Sequence, residues 1–408
     1  MSKKSYPIFS VLGIEIEYML VDSKTLSVQP KSDLILQALA GSCLNEVSLG
    51  KIAVSNELVL HVLELKNDGP CPVDEPIAQY FHETLLKLQP ALKQHGLSLL
   101  PTAAHPWMNP HTETKRWPHG NRSIYQQYDA IFDCRGHGWA NLQSMHLNLP
   151  FSNDEEFSAL HNTIRLILPL IPALAASSPF LDGKRTNFLD TRLTFYGKNQ
   201  QKIPSITGQV IPEYIKNEAD YRQRILKPMY DNIAPFDKEN ILQEEWLNSR
   251  GAIPKFDYGA VEIRIIDSQE CIDADITLAK TIYAILKSWC DSGHYPMPPD
   301  IDTQALKALY DETLSKGFMT VLEETSILSA YQLPKRRMHL KDVWTQLIER
   351  VSHTLSHKEQ ITLESILRYG NLSERIIRAC NNDYSHATLH RVYQSLMTCL
   401  HQNQLFLS

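Results

Sequence analysis

Three short segments of this chain alternate apolar and polar residues with a period of two, and a fourth is an apolar run broken by a single acid. In Gly13-Ile14-Glu15-Ile16-Glu17-Tyr18 a strand sends Glu15 and Glu17 to one face and Ile14, Ile16 and Tyr18 to the other. Ser144-Met145-His146-Leu147-Asn148-Leu149 places His146 and Asn148 opposite Met145, Leu147 and Leu149, and Val261-Glu262-Ile263-Arg264-Ile265 places Glu262 with Arg264. Val59-Leu60-His61-Val62-Leu63-Glu64-Leu65 holds the lone acid, Glu64, which needs a partner if buried. Such segments predict a sheet with one apolar surface and one surface lined by carboxylates, an imidazole and a guanidinium.

The chain divides accordingly. Strands are expected at Phe9 to Val21, Leu58 to Leu65, Ser144 to Phe151 and Ala260 to Ile266, and a helix over Pro76 to His95, where Ile77, Tyr80, Phe81, Leu85 and Leu88 form a stripe. Ser152 and Glu155 have capping-box spacing and open a second long helix, closed by Ser177-Ser178-Pro179. Its most apolar part, Ile164 to Ala176, is shorter than the ~20 residues that cross a bilayer and reads as a buried helix. From there to Gly251 the chain is rich in Pro, Gly, Asn and Lys and reads as long functional loops. Asp273 to Ser288 is a helix ended by Asp291-Ser292-Gly293, Pro296 to Pro299 is a stiff connector, and helical spacing follows through Ala305 to Leu314, Val343 to Val351, Ile361 to Leu367 and Leu389 to Leu400. The expected fold class is α+β, a sheet flanked by helices. A first unit spans residues 1–295, and a helical C-terminal region, 296–408, packs on it.

With 408 residues, 43% hydrophobic, core size is no obstacle. A net charge of -6 gives no overall pull toward nucleic acid, and the odd, scattered set of seven cysteines has no Cys-x-x-Cys pair, so reduced thiols are expected. The start, Met1 to Pro7, carries no apolar signal region, and a cytoplasmic location is expected, with no membrane or nucleic-acid partner. Carboxylate oxygens suit Mg2+ or Mn2+, and such ions beside an arginine recur in phosphoryl transfer. No Walker loop or Gly-x-Gly-x-x-Gly run is present, so any ATP site uses another architecture.

In order and wording, these segments resemble the second family of glutamate-cysteine ligases and the related carboxylate-amine ligases of glutamine-synthetase-like fold. The resemblance runs from Gly13-Ile14-Glu15-Ile16-Glu17 through Leu63-Glu64-Leu65 and Met145-His146-Leu147-Asn148 to Ser178-Pro179-Phe180, Gly183, Thr186 and Thr191-Arg192. It closes on Val261-Glu262-Ile263-Arg264, with a weaker echo at Tyr369-Gly370-Asn371 and Arg375. The resemblance implies a curved, mainly antiparallel sheet that forms a catalytic funnel over residues 1–295, and an ATP-dependent ligase that activates a carboxylate as an acyl phosphate and couples it to an amine. It implies Mg2+ or Mn2+ ligands at Glu15, Glu17, Glu64, His146 and Glu262, with Glu262 also among the catalytic residues. Arg264 would meet the transferring phosphate, Arg192 a substrate carboxylate or phosphate, and Glu57, Gln143, Asn148 and Asn187 would line the substrate pocket. ATP is then a co-substrate, and the partners are small, amino-acid-like molecules. Lys66-Asn67 stands where such ligases usually carry threonine and proline, so glutamate and cysteine do not follow as the substrates.

Other readings stand beside these. Glu15 and Glu17 could lie on an exposed strand face, His146 could be a satisfied core histidine, and Glu262 with Arg264 a cross-strand ion pair. The stretch Asp182 to Gly208 reads equally as a lid or a surface loop. His105, His111, His119, His137 and His146 lack zinc-site spacing. Lys335-Arg336-Arg337 reads as a solvated face, and Gly370 with Ser373, Glu374 and Arg375 as a helix stop followed by a new cap. The C-terminal apolar stripes are core, with a homo-oligomer interface as the alternative. A metal-dependent hydrolase and a non-catalytic nucleotide-binding relative are the rival functions.

Overall fold

The computed structural model describes residues 6–291 and 298–407. Up to Asp267 its strands are β1 (Gly13–Asp22), β2 (Glu46–Ser48), β3 (Ile52–Asn56), β4 (Val62–Asn67), β5 (Leu97–Leu100), β6 (Ser144–Pro150), β7 (Phe180–Leu181), β8 (Lys184–Arg185), β9 (Ala252–Lys255) and β10 (Ala260–Asp267), and a short pair, Val321–Leu322 with Met338–His339, lies apart from them in the C-terminal part. Strands β7 and β8 form a hairpin of their own, and the others make one eight-stranded sheet in the order β2-β3-β4-β1-β6-β10-β9, with β5 also on β1. Every ladder in it is antiparallel, which is the expected sheet. Met19 pairs with both Val62 and Leu100, so β4 runs along one edge of β1 while β6 and then β5 follow one another along the other.

The alternation decides the layering. Ile14, Ile16, Tyr18, Leu63, Leu65, Leu147, Ile263 and Ile265 are fully buried in one apolar cluster with the helices Ile77–Gln94, Asp154–Ile167 and Ile272–Asp291. Each such side chain contributes roughly 1.5–3 kcal/mol by leaving water. A one-residue slip of any strand would expose that set and drive the acids inward, so the register is firmly set.

Several expected boundaries move. Phe9 has a positive φ of 58° in a turn closed by Ser10 N donating to Pro7 O, so β1 begins only at Gly13. Leu58 to His61 forms a turn, with Val62 N donating to Val59 O, and β4 starts after it. The second long helix is capped one residue later than expected. Asn153 accepts from Glu156 N, and the Glu156 carboxylate takes Ser152 N and Oγ. The helical run then continues through a 3-10 turn at Leu168–Leu170 to Ala175, longer than the apolar core alone suggested. Among the described residues this run is the one helix long and apolar enough to cross a membrane, and 94% of that window is buried in the protein.

The stretch read as loops holds short helices at Thr191–Tyr196, Glu218–Tyr221 and Lys227–Ile233, and it is followed by the unforeseen edge strand β9. The C-terminal helices Thr303–Lys316, Leu340–Val351, His357–Tyr369 and His386–Gln402 fall where the spacing placed them, and Asn371 with Glu374 forms the new cap expected after Gly370, opening a further helix at Leu372–Cys380. Trp344 Nε1 donates to Leu170 O and Tyr331 OH to Leu166 O, while the buried Arg375 is ion-paired to Glu270 just past β10. The Ser292-Gly293 part of the expected helix stop, Pro296 and Met297 of the Pro296 to Pro299 connector and the 295/296 division lie outside the described residues.

Candidate active site

Strand register brings the acids of distant segments together. Glu17 lies opposite Glu64, Glu15 lies between Lys66 on β4 and His146 on β6, and Asn148 lies between Gly13 and Glu262. The pairing of β10 to β6 shifts between Ile263 and Ile266, a bulge beside Arg264. As a result Glu15, His146 and Glu262 form one group whose ligand atoms all lie within 4.8 Å of one another, and Glu17, Glu64 and His146 form a second. The imidazole is shared.

His146 Nδ1 lies 3.2 Å from Glu15 Oε2 and 3.0 Å from Glu262 Oε1, and its Nε2 lies 2.9 Å from Ser144 Oγ. Ser144 in turn donates to Glu17 Oε2 from its backbone N at 2.7 Å and from its hydroxyl at 3.1 Å. Asn148 Nδ2 donates to Glu15 Oε1 at 3.0 Å, and Ser55 Oγ to Glu64 Oε1 at 2.9 Å. Two lysines complete the ring. Lys66 Nζ sits 3.2 Å from Glu64 and 2.8 Å from Glu46, and Lys255 Nζ sits 2.7 Å from Glu262 and 3.4 Å from Glu15.

The electrostatics split the cluster. Burial alone would keep His146 neutral, but its bonds to Glu15 and Glu262 outweigh that and hold it up at about 10. Burial and the Glu262 charge push Glu15 up, yet His146 and Lys255 bring it down to about 2. On the other side cations are too few. Burial and neighbouring carboxylates push Glu64 up to about 8 and Glu57 up to about 7, and burial also raises Glu17. A cluster of carboxylates in want of positive charge, with oxygen donors and one imidazole converging from β1, β4, β6 and β10, fits a hard divalent cation.

Arg264 donates from Nη1 to Asn248 O at 3.2 Å and holds its Nε 3.7 Å from Glu262, a buried nitrogen with no hydrogen-bond partner. Arg192 is placed differently. It is 2% exposed, its Nε donates to Asp267 Oδ1 at 2.6 Å and its Nη2 to Arg264 O at 3.4 Å. Asp267 is gripped further by Ser177 N and Ser178 Oγ, so the Ser178-Pro179 motif supports a buried pair behind Arg264. Glu57 is half-buried near Glu17 and His146. Gln143, 1% exposed, precedes β6 and leaves its Nε2 without a partner. Asn187 stands exposed in the loop after β8, with no bond to the cluster among the described residues.

Sequence reasoning passed over Lys255, Ser55, Ser144 as a relay and Asp267. Asp267 was legible as the polar end of the Glu262-Ile263-Arg264 run, whereas Lys255 follows Ala252-Ile253-Pro254, where no alternation marks a strand. Lys66, noticed only as an odd residue, proves to be a counter-ion of Glu64. A cavity of about 1070 Å3 opens beside the cluster, lined by Glu15, Lys66, Asn148 and Lys255 and also by Arg222, Tyr230, Trp246 and Tyr258.

A crystal structure of the glutamate–cysteine ligase of Francisella tularensis in complex with AMP shares this fold, with a TM-score of 0.63 at 13% identity over 98% of this chain and 89% of that one. An uncharacterised protein of Archaeoglobus fulgidus is 32% identical over 400 residues, 97% of this chain and 100% of its own length. A protein of Ectopseudomonas mendocina that carries the provisional name glutamate–cysteine ligase 2 is 26% identical over 423 residues, 97% of this chain and 98% of its own. Fold and relatives together place the chain among proteins of the glutamate–cysteine ligase type. The profile of glutamate-cysteine ligase family 2 matches residues 11–395, and the chain belongs to that family, the one its motifs resemble.

Proposed function

We infer that the protein uses ATP to join a small, amino-acid-like carboxylate to an amine through an amide bond. The observation that carries this reading is the pair of ligand groups sharing His146 on one sheet face, with Glu15 of the first group lining a large cavity beside Lys66, Lys255 and Arg222. Glu15, Glu17, Glu64, His146 and Glu262 would hold Mg2+ or Mn2+, which when bound neutralises phosphate oxygens and polarises the phosphoryl group that moves.

The chain's own residues account for the rest. Tyr230, Trp246 and Tyr258 offer flat apolar surfaces for a base, and Lys66, Lys255 and Arg222 offer charge for phosphates. Arg264, held by Asn248 O and with its Nε in ion-pair contact with Glu262 but not hydrogen-bonded, would stabilise charge developing on the transferred group. Arg192 acts as a positioning residue, since its guanidinium is committed to Asp267 and the Arg264 carbonyl. A substrate carboxylate oxygen attacks the γ-phosphorus, ADP leaves, and the resulting acyl phosphate is taken by an amine with loss of phosphate and a proton. The protein needs no nucleophile for this, only positioning, charge and exclusion of water. Glu57, Gln143 and Asn148 are the pocket candidates that the fold keeps at or beside the cluster, whereas Asn187 would need its loop to close. Lys66, on Glu64, is the departure that bears most on which acid is accepted.

The test is ADP release with Mg2+ across pairs of amino acids, followed by replacement of the amine with hydroxylamine. The expected outcome is ADP formed in step with amide, and a hydroxamate of the acid in the hydroxylamine arm. ADP release indifferent to every acid, or phosphate release with no new amide, would sink the reading.

A further inference from the structure

Lys255 stands in a place that invites a second role. Its ammonium bridges Glu262 at 2.7 Å and Glu15 at 3.4 Å, the two carboxylates that share a ligand group with His146. The ammonium takes Glu262 Oε2 and Glu15 Oε1, the oxygens that His146 leaves free as it faces Glu262 Oε1 and Glu15 Oε2. A divalent ion takes carboxylate oxygens at about 2.0–2.6 Å and repels a neighbouring ammonium, so the two compete for this pair of acids.

The side chain is built to give way. Lys255 ends β9, the edge strand of the sheet, and pairs there with Ala260, a residue with no long side chain of its own. It is 28% exposed and lines the same cavity as Lys66 and Arg222. Lysine carries a point charge on a flexible four-carbon stem, which suits a group that changes partners. The hairpin that bears it is held in place, since Gly259 adopts a φ of +61° at the turn and Phe151 N donates to Gly259 O.

We propose that Lys255 is a displaceable cation: it neutralises Glu15 and Glu262 in the metal-free chain, yields them to a divalent ion, and then binds the phosphate chain of the nucleotide in the adjoining cavity. The proposal rests on the nucleotide reading given above and adds a signature that reading lacks. Removing the ammonium has opposite effects on the two ligands.

The experiment measures Mn2+ binding to the nucleotide-free protein by the electron paramagnetic resonance of free Mn2+, and binding of the magnesium complex of a non-hydrolysable ATP analogue by calorimetry. Both are run for the natural protein, Lys255→Met and Lys255→Arg, with thermal melting as the check on folding. Lys255→Met is expected to bind Mn2+ at least about fivefold more tightly and the analogue at least about tenfold more weakly, with Lys255→Arg within about threefold of the natural protein on the analogue. Unchanged or weaker Mn2+ binding by Lys255→Met overturns the proposal, and so does unchanged analogue binding. If the natural protein binds Mn2+ but no analogue, the nucleotide reading itself has failed and the proposal falls with it. If the natural protein binds both and Lys255→Met matches it, only the proposal falls.

Discussion

Glu262 meets His146, Lys255 and Arg264 at once while only 3% exposed, so a single carboxylate settles the charge of three cations. Arg264 depends less on its surroundings, with one hydrogen bond to Asn248 O and a longer contact to Glu262. Replacing Arg264 by alanine should therefore cut kcat by about 10²–10³-fold while melting stays near that of the natural protein. Steady-state kinetics beside a melting curve decide this, and normal turnover would remove Arg264 from the chemistry. The convergence of Glu15, Glu64, His146 and Glu262 was legible because strand parity fixes which side chains share a face. The partners that set their charges were not, since Lys255 and Ser55 approach along strands whose sequence shows no alternation.

A strand's interior is easier to read than its ends. The period of two marked the bodies of β1, β6 and β10, but turn chemistry set their limits, as where Phe9 turns with positive φ and Val62 follows a tight turn at Val59. Strand β9 escaped notice because Pro254 argues against a ladder, and an edge strand tolerates it. The β9–β10 hairpin turns at Gly259, where a Cβ would lie 3.0 Å from Phe151 O at a φ of +61°. Gly259→Ala should cost about 1–2 kcal/mol through that backbone conformation and contact. A lower denaturant midpoint with unchanged slope is the expected result, and an unchanged midpoint would show that the hairpin turn bears no strain.

Across the molecule, one apolar cluster reaches from Phe9 to Leu400, so the C-terminal helices and the sheet share a core. Three buried histidines outside the site make that core sensitive to acid. Burial lowers His61 and His105 to about 4 and His161 to about 3. Each binds a proton more weakly folded than unfolded, so the unfolded chain gains protons first as pH drops below about 6.5. The stability these imidazoles contribute is full above that value and lost toward pH 4, while the raised Glu57 and Glu64 carboxyls and His146 bind protons more tightly in the folded chain and contribute in the opposite sense. The measurement is therefore a difference: melting curves between pH 7 and pH 4 should fall less steeply for His161→Gln than for the natural protein, and identical slopes would show that the His161 imidazole is not held neutral. The helical C-terminal part was readable from its stripes, whereas its anchorage through Trp344 and Arg375 was not, because the partners Leu170 and Glu270 are far away in sequence. The strand that carries Glu15 and Glu17 is hemmed along both edges, by β4 on one and by β6 and β5 on the other. Its amide protons would thus be among the last to exchange with deuterated solvent, and the surrounding loops can breathe to admit and release molecules while the acids keep their spacing.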